Sequence, residues 1–472
     1  MRRILFLNFL ILFLGSSLVY SDMPQSIFAE RRNQLMEKVD EGICILTSAS
    51  AYIRNGDTHF DYRQDSNFYY LTGIKDSNAI CVLLPEDEKK YILFVEPVNA
   101  MMKVWVEEKT GLQGAMTTFG ADTACAFKDF STIIMPYLQK YDSIFCTTTD
   151  MAFRKKLSKL IKQARGKKKI IKSVPFLDEM RLRKDNAELN ILRKAAEITA
   201  DAHIAVIRAA EPGMFEYEME AIIEYIFRKN GATCPGFPSI VGSGPNSTVM
   251  HYTRCDRQTE DGDIVVMDIG AELDMYTADV TRTIPINGKF SPRQREIYEI
   301  VLQSQKEAIA LIKPGVGIYE IHSKSWEIAK KGLLRLGLIT DIQADWQTRL
   351  YFMYNSNHWL GLDVHDVGSR GPNDGKGTIL EPGMVLTVEP GLYIGESTLD
   401  LVPYFTRHNS KEEVNAFVKE VRPAVDKYMN IGIRIEDDIL VTENGHENLS
   451  EKAPREIDVI ENLMAETSYF NQ

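Results

Sequence analysis

Two aspartates in the middle of the chain have a spacing that could place them side by side. Asp268 closes the short apolar run Asp263–Asp268, and Asp279 follows eleven residues later. If these segments form a hairpin that turns around Leu273 and Asp274, the two carboxylates lie directly opposite each other, with side chains about 5 Å apart. Like charges placed in this way are destabilising unless a cation lies between them. The pair therefore predicts a metal site.

Three further residues offer ligands for the same site. His358 precedes a Trp-Leu-Gly-Leu-Asp-Val-His segment, and Glu389 ends a strand-like run that Pro390 stops. Glu436 follows Arg434 by two residues, so both point to one face of a strand. A single glutamate or histidine is usually solvated or structural, but four carboxylates and one imidazole together suit Mn²⁺, Co²⁺ or Zn²⁺. With a bridging hydroxide they carry five negative charges, which two divalent cations nearly balance.

The elements that would position these residues are predicted from hydrophobic periodicity. The chain has 472 residues, 44% hydrophobic and 26% charged, which is enough for about two or three domains with buried cores. We expect an α/β domain over residues 24–172 and an α+β domain over residues 176–460, with a boundary near Pro175. Helices are predicted at Phe28–Lys38, near Met101–Glu108 and at Ala187–Ala210, and strands at Gly42–Thr47, Asn67–Leu71, Ala79–Leu84 and Tyr91–Val95.

The first 21 residues have the layout of a secretory signal peptide. A positively charged start precedes an apolar run from Ile4 to Leu14, and a cleavage site follows at Ser21. That run is too short to span a membrane comfortably, and no other run approaches about 18 apolar residues. We therefore expect an exported protein, periplasmic or secreted, without a stable membrane span. An uncleaved anchor and a cytoplasmic chain that starts at Met23 remain alternatives.

The charge balance and the cysteines argue against several classes of protein. Acidic residues outnumber basic ones by 66 to 55, a net charge of −11, so we expect no nucleic-acid partner. The six cysteines form no Cys-x-x-Cys pair and are too sparse for a disulfide scaffold, which favours buried thiols. The segment Arg154–Lys172 contains ten basic residues, and a solvated helix and linker is favoured there over an anion-binding patch.

Several separate segments agree in order and spacing with one enzyme family. The chain from about Met23 to its end resembles aminopeptidase P, the Xaa-Pro aminopeptidases of the pita-bread metallopeptidase group. The segments that carry the resemblance are Ile240-Val-Gly-Ser-Gly-Pro-Asn, His251-Tyr-Thr, Thr281-Arg-Thr, His358-Trp-Leu-Gly-Leu-Asp-Val-His-Asp-Val-Gly, Glu381-Pro-Gly-Met-Val-Leu-Thr-Val-Glu-Pro-Gly-Leu-Tyr and Gly432-Ile-Arg-Ile-Glu-Asp-Asp. The fold implied is an α/β N-terminal creatinase-like domain followed by an α+β pita-bread catalytic domain.

The resemblance also implies a complete set of metal ligands. The implied site holds two divalent metal ions, most often Mn²⁺, and Asp279 and Glu436 would bridge them. Asp268 would complete the coordination of one ion, and His358 and Glu389 that of the other.

The resemblance further implies how peptides would bind and react. The family hydrolyses the bond between a free N-terminal residue and a proline at position two, so such peptides are the expected partners. Glu389 would carry the proton from water to the leaving imino nitrogen, and His365 would hydrogen-bond the carbonyl oxygen as it gains charge. His251 would line the proline pocket, and Arg434 corresponds to an arginine beside the site.

Two departures from the family pattern keep alternatives open. Tyr354 stands four residues before His358, where the family usually has a histidine. The segment 396–427 is long, as it tends to be in prolidases, which cleave Xaa-Pro dipeptides. A prolidase is therefore one alternative, and a non-catalytic pita-bread module that binds peptides is the other. The second alternative is disfavoured because all five ligand positions are present.

The N-terminal domain contains no catalytic constellation of its own. In relatives this domain shapes the substrate entrance and builds oligomers, so a homo-oligomer is expected by resemblance. Trp105 is predicted to be a partly buried packing residue, and the alternative is an aromatic presented to a neighbouring active site.

Overall fold

The structure, a computed structural model, describes residues 23–471 apart from residues 40, 106–108, 149, 165, 167, 172–174 and 408. The predicted signal peptide, residues 1–21, lies outside the described residues. Within the described part, no helix combines the length and the apolar character needed to cross a membrane.

The N-terminal region forms a mixed sheet covered by short helices. Its strands are β1 (Gly42–Thr47), β2 (Ile53–Asn55), β3 (Thr58–His59), β4 (Ile80–Leu83), β5 (Tyr91–Val95), β6 (Thr123–Ala126), β7 (Ser143–Thr147) and β8 (Lys169–Ile171). Its helices are α1 (Gln25–Lys38), α2 (Ser66–Thr72), α3 (Gly111–Thr117), α4 (Phe130–Ile133), α5 (Met135–Lys140) and α6 (Met151–Gln163), and α7 (Pro175–Leu182) follows at the junction with the C-terminal region. The strand order is β6-β5-β4-β1-β7-β8, with β1 antiparallel to β4 and parallel to β7. β1, β4 and β5 are buried throughout, which explains their nearly continuous apolar sequences.

One predicted strand in this region is wrong, because Asn67–Leu71 belongs to helix α2. Asp65 caps the helix by accepting a backbone N–H of its first turn, and Gly73 ends it in the left-handed conformation. The helix is buried on nearly all sides, so it lacks the amphipathic spacing that distinguishes a helix from a strand. In place of the helix predicted near Met101–Glu108, the described residues contain a 3-10 turn, Met102–Val104.

The C-terminal region combines long helices with short antiparallel strands. Its strands are β9 (Cys234–Pro235), β10 (Ile240–Ser243), β11 (Ile264–Ile269), β12 (Ala271–Leu273), β13 (Tyr276–Thr277), β14 (Val280–Pro285), β15 (Val385–Val388), β16 (Gly391–Ile394), β17 (Ile431–Arg434), β18 (Asp437–Thr442) and β19 (Gly445–Asn448). Its helices are α8 (Asn186–Ala209), α9 (Glu216–Lys229), α10 (Pro292–Ala310), α11 (Ile318–Arg335), α12 (Asp345–Arg349), α13 (Val402–Phe405), α14 (Lys411–Tyr428) and α15 (Ile457–Met464). The sheets run β10-β11-β14, β13-β12-β9 and β15-β18-β19, and β16 pairs with β17. The predicted succession of an α/β and an α+β region is confirmed, whereas the boundary near Pro175 stays a prediction.

The core of this region determines which strand face can carry polar ligands. α8, α9, α10 and α14 pack with the strands in one apolar cluster that includes Val265, Met267 and Ile269 of β11. Because side chains alternate along a strand, Asp268 points to the opposite face, away from this core. The same apolar cluster contains Ile431 and Ile433 of β17. The helices thus hold the strands from behind and leave their other faces free for the candidate ligands.

The cysteines are free thiols, as predicted. The side chains of Cys44, Cys81, Cys146 and Cys255 are buried, and those of Cys125 and Cys234 are partly buried. Burial raises the pKa of the Cys81 thiol to about 12, so this thiol stays protonated and unreactive near neutral pH.

Candidate metal centre

β11 and β14 carry the two aspartates in a register that differs from the predicted one. Asp268 pairs with Thr281, and Asp279 precedes β14 by one residue. The chain turns later than predicted, at Asp274 and Met275, which both have positive φ (48° and 73°). The predicted direct opposition of Asp268 and Asp279 is therefore wrong. The two carboxyl groups nevertheless lie close enough for the charge of Asp268 to raise the pKa of Asp279, because a shift of two residues keeps both on one face of the sheet.

Asp279, Glu436 and His358 form the centre of the site. One ligand atom from each lies within 4.8 Å of the others. His358 Nε2 is 3.3 Å from Asp279 Oδ2 and 3.7 Å from Glu389 Oε1. On the other side of the ring, His358 Nδ1 lies 3.0 Å from the backbone oxygen of Trp359. This contact orients Nε2 toward the carboxylates, as second contacts of metal-ligating histidines commonly do.

Burial and mutual repulsion dominate the electrostatics of the carboxyl groups. Burial, followed by the charge of Asp268, raises the pKa of Asp279 well above its usual range. Burial and the charge of Asp279 have the same effect on the pKa of Glu436. Burial also raises the pKa of Glu389 to about 7, against the lowering effect of the His358 ring. The cluster therefore has more carboxylates than positive charges to balance them.

Arg434, at the end of β17, compensates one edge of the cluster. Its guanidinium contacts the Asp268 carboxylate and donates from Nε to Thr281 Oγ1 at 3.0 Å. It also donates from Nη1 to the Tyr393 hydroxyl at 2.6 Å. Thr281 in turn donates to Glu436 Oε2 at 2.6 Å. Arg434 and Glu436 thus lie on one side of the strands, as their spacing predicts, and Thr281 joins them.

The donor set fits divalent cations. Asp268 Oδ1 is buried and has no hydrogen-bond partner among the described residues, which is unfavourable for a carboxylate oxygen without a cation. Carboxylate oxygens with a single imidazole are ligands that Mn²⁺, Co²⁺ and Zn²⁺ accept. Burial and repulsion between the carboxylates raise their pKa values, and bound cations would offset this repulsion. The residues that would hold the ions are Asp268, Asp279, His358, Glu389 and Glu436.

Two further predicted site residues stand at the open side of the cluster. The His365 ring lies 4.4 Å from the His358 ring at an angle of 74°. Burial, followed by the charges of His358 and His251, lowers the pKa of His365, so His251 lies within electrostatic reach of it. His251 and His365 are both exposed, so a peptide at the cluster could contact both rings.

Tyr354 occupies a supporting position beside the cluster. Its hydroxyl donates to the backbone oxygen of Glu389 at 2.8 Å and lies 3.2 Å from the Tyr393 hydroxyl. Tyr393 also accepts a hydrogen bond from Arg434. Tyr354 therefore links the backbone of Glu389, through Tyr393, to Arg434. A histidine at this position would have a shorter reach.

The long segment 396–427 folds largely into helices outside the cluster. α14 packs against α10, and Phe417 contacts the Trp346 ring at a centroid distance of 4.7 Å. Among the described residues of this segment, none hydrogen-bonds to a candidate ligand. The segment therefore enlarges the outer core of the catalytic region.

Three residues support the ligands in ways that were not predicted from the sequence, and they are Thr281, Tyr393 and Asp438. Asp438 Oδ2 accepts the backbone N–H of Asp279 at 3.1 Å. Asp279 and Thr281 are two residues apart, so period-2 alternation already placed the threonine on the ligand face. The partners of Tyr393 and Asp438 depend on how separate hairpins meet, which no local spacing reveals.

Two family profiles match the chain. The profile of metallopeptidase family M24 matches residues 190–443. The profile of the aminopeptidase P N-terminal domain matches residues 28–145. All five candidate ligands lie within the first match, and the mixed six-stranded sheet contributes most of its strands to the second.

Named relatives and solved structures extend over nearly the whole chain. Escherichia coli Xaa-Pro aminopeptidase is 37% identical over 94% of this chain and 98% of its own. The mitochondrial intermediate cleaving peptidase 55 of Arabidopsis thaliana is 33% identical over 92% of this chain and 82% of its own. The structure of Pseudomonas aeruginosa aminopeptidase PepP matches with a TM-score of 0.84 and 36% identity, covering 94% of this chain and 98% of that one. The chain therefore belongs to metallopeptidase family M24 and, within it, to the aminopeptidase P enzymes.

Proposed function

We propose that this protein is a Xaa-Pro aminopeptidase, which removes the first residue from peptides that have a free amine and proline at position two. The proposal rests on the convergence of five candidate ligands on one buried site in which carboxylates outnumber the positive charges. These ligands are Asp268, Asp279, His358, Glu389 and Glu436. The similarity to Xaa-Pro aminopeptidases over nearly the full length supports the substrate class.

In the proposed reaction, the oxygen of a water molecule bonds to the carbonyl carbon of the first residue, and the C–N bond to proline breaks. Two divalent ions held by the cluster would supply Lewis acidity, which lowers the pKa of water and polarises the carbonyl group. Glu389 takes a proton from the attacking water and delivers it to the imino nitrogen, so proline leaves as a neutral amine.

The residues around the cluster orient the peptide in this proposal. The His365 ring donates a hydrogen bond to the carbonyl oxygen as that oxygen gains negative charge. His251 lines the pocket for the proline ring. Arg434 does not touch the peptide and instead holds Asp268 in place.

We propose Mn²⁺ as the ion, with Co²⁺ and Zn²⁺ as competitors that the same donors accept. The test removes metal with a chelator and adds back each ion while elemental analysis measures the metal bound per chain. Mn²⁺ should restore the highest turnover. Full restoration by Zn²⁺ alone would reject manganese while leaving the metal-dependent reaction in place.

We propose that the N-terminal domain builds a homo-oligomer. The expectation that Trp105 packs in a partly buried position is wrong, since its side chain is 79% exposed. Tyr52, Ile53 and Val104 are also between 64% and 81% exposed, and apolar side chains exposed in this way are typical of contact surfaces. Light scattering should give a multimer for the wild-type chain and a smaller species for Val104→Ser with Trp105→Ser. A monomeric wild-type chain would contradict this proposal.

We also propose export, with cleavage after Ser21. The support is the charged start, the short apolar run and the small residues of the leader. Expression in a bacterial host followed by mass measurement of the exported fraction should give a chain that begins at Asp22. A chain that stays in the cytoplasm and retains Met1 would contradict export.

A panel of peptides separates the proposed activity from its alternatives. It contains an Xaa-Pro-Yaa tripeptide, the same tripeptide with a blocked amine, an Xaa-Pro dipeptide, and a tripeptide with alanine at position two. Metal-dependent cleavage of the free prolyl tripeptide alone is the expected result. Dominant cleavage of the dipeptide would identify a prolidase. Binding of metal without any cleavage would support the peptide-binding module.

A further inference from the structure

A second buried group of charges lies where the N-terminal region meets the catalytic region, beside the loop that carries His365. Four side chains outside the catalytic sheets contact residues 362–366. We refer to them as the loop clamp, and they are Arg63, Ser66, Arg181 and Lys184.

The clamp holds the two aspartates that flank His365. Arg181, on α7, donates from Nη2 to Asp363 Oδ2 at 2.7 Å and to Asp366 Oδ1 at 2.5 Å. Lys184 donates from Nζ to Asp366 Oδ2 at 3.0 Å. Ser66, the first residue of α2 in the N-terminal region, donates to Asp363 Oδ1 at 2.6 Å. Both oxygens of each aspartate therefore have a donor.

Arg63 and a glycine complete the contact. Arg63 donates from Nη2 to the backbone oxygen of Leu362 at 2.5 Å and from Nε to Glu272 Oε2 at 2.6 Å. At Gly361, a Cβ atom would lie 2.2 Å from Asp366 Oδ2, so only glycine leaves room for this carboxylate. The backbone of the loop is thus fixed on both sides of His365.

The ion pairs of the loop clamp with Asp366 are buried, so the chain depends on both partners of each pair. The side chains of Arg181, Lys184 and Asp366 are at most 2% exposed. Removing one partner from a buried ion pair leaves the other charge uncompensated, which is strongly destabilising. Burial opposes ionisation of Asp363, but Arg181 and Ser66 hold the pKa of this carboxyl below its usual range.

The position of His365 depends on this backbone. Residues 361–367 form neither helix nor strand, so no regular ladder of hydrogen bonds positions them. Among the described residues, the His365 ring has no hydrogen-bond partner, and its ring contact is with His358. Two backbone hydrogen bonds anchor the ends of the loop, from the N–H of Asp366 to the Trp359 oxygen at 2.9 Å and from the N–H of Thr277 to the Gly361 oxygen at 3.1 Å. The side-chain contacts that fix the loop are those of Asp363 and Asp366 on either side of the histidine.

We propose that the loop clamp positions His365, so that Arg63 and Ser66 of the N-terminal region act on the reaction through the loop that carries this histidine. The clamp residues are positioning residues, since their hydrogen bonds go to the loop and its surroundings. The chemical part of the inference rests on the proposed function, while the positioning part stands on the geometry alone.

The test combines Asp363→Asn with His365→Ala in a double-mutant cycle. Asp363→Asn keeps the shape of the side chain and removes its charge, while Arg181 keeps its ion pair with Asp366, so the chain should still fold. We expect a loss of about tenfold in kcat, comparable to the loss of an outer-shell partner in a metal enzyme. KM and bound metal should stay within about twofold, and Asp363→Asn should cause no further loss in the His365→Ala background.

A spectroscopic measurement keeps the test independent of activity. The ring resonances of His365 in a histidine-labelled chain are assigned by their absence in His365→Ala. They should shift in Asp363→Asn and in the milder Ser66→Ala, and stay in place in Arg193→Gln. This control removes an ion pair of similar length, 2.7 Å, between Arg193 and Glu447 on the catalytic region.

The outcomes separate the two proposals. Unshifted His365 resonances in Asp363→Asn, or an equal loss of kcat with and without His365, would overturn the positioning role. Shifted resonances in a chain that cleaves no prolyl peptide would reject the proposed function and leave the positioning role standing.

Discussion

Glu436 and Asp437 are neighbours in the chain, are both buried, and have opposite electrostatics. Burial and the charge of Asp279 raise the pKa of Glu436 well above its usual range. Burial acts on Asp437 as well, but the charges of Arg282 and Arg455 outweigh it and hold the pKa of Asp437 below its usual range. Asp437 Oδ1 accepts from Arg282 Nη2 at 2.6 Å, whereas Glu436 faces other carboxylates.

This difference shows that charge balance, more than burial, separates a functional cluster from a structural one. The group around Asp437 pairs its carboxylate with two arginines inside the protein. In the group around Glu436, Arg434 is in ionic contact with Asp268, and the other oxygen of Asp268 has no hydrogen-bond partner among the described residues. The first group is complete without a ligand, and the second needs cations from solution.

The largest effect is expected when the unbalanced cluster loses a ligand. Asp279→Ala should lower kcat by on the order of 10⁴-fold, the scale seen when one member of a catalytic unit is removed. It should not destabilise the metal-free chain, because it removes a repelling carboxylate. Steady-state kinetics and thermal melting of the same preparation check both statements. Turnover near that of the wild type in Asp279→Ala would show that Asp279 is not a metal ligand.

The balanced cluster should respond in the opposite way. Arg282→Met leaves Asp437 with less compensation in a fully buried position, so the free energy of unfolding should fall by about 3–5 kcal/mol. Denaturant unfolding measures this change, with Arg193→Met as a control at an exposed ion pair worth at most about 1 kcal/mol. Equal effects of the two substitutions would contradict the structural role of Arg282.

A smaller effect is expected at Tyr354, which supports the unbalanced cluster from outside. Tyr354→Phe removes the hydrogen bond to the Glu389 peptide, so kcat and Mn²⁺ affinity should each fall by about tenfold. The matched control is Tyr351→Phe, which removes a bond of the same 2.8 Å length to the carbonyl of Leu338. Calorimetric titration and kinetics compare the two variants. Identical metal affinity in both would show that Tyr354 does not support the ligands.

The smallest effect is a pH dependence of the metal-free chain. A carboxyl group whose pKa is raised on folding keeps its proton where the unfolded chain has released it. The protonated Glu389 side chain therefore contributes to the free energy of unfolding at low pH. This contribution is lost as the pH rises from 4.5, the ordinary pKa of a glutamate, to about 7, the pKa of Glu389 in the folded chain. The melting temperature of the metal-free chain should fall over this range, while Mn²⁺ should stabilise the chain more at the upper end.

The control for this pH dependence is Glu389→Gln. Because the amide does not titrate, its metal-free melting temperature should fall less over the same range. A wild-type melting temperature that rises from pH 5 to pH 7.5, with the variant unchanged, would contradict the raised pKa of Glu389.

The residue types of the site could be predicted from the sequence, because Asp268 and Glu389 each end an apolar run and the other candidate ligands lie in segments that resemble one family. The spacing of Asp268 and Asp279 indicated a shared face, and the structure bears this out. The register was wrong by two positions because the chain turns at Asp274 and Met275, and the left-handed conformation is unusual for a methionine.

Other parts of the fold depend on contacts far apart in the chain. α2 was mistaken for a strand because its burial on nearly all sides removes the helical pattern. The loop clamp was not predicted because Ser66 and Asp363 are separated by 297 residues. Their pairing follows from the docking of two regions, and no local sequence pattern at either residue indicates the other.

A titration of the metal-stripped chain with Mn²⁺ tests whether the unbalanced cluster binds the ions that cleave peptides. Bound metal and cleavage of an Xaa-Pro-Yaa tripeptide are measured at each point. The unbalanced cluster predicts that turnover is absent without metal and rises to its maximum as up to two ions bind per chain. The same titration of Glu436→Gln should lose both binding and turnover. Full cleavage by the metal-stripped chain, or metal binding that is unchanged in Glu436→Gln, would contradict the account.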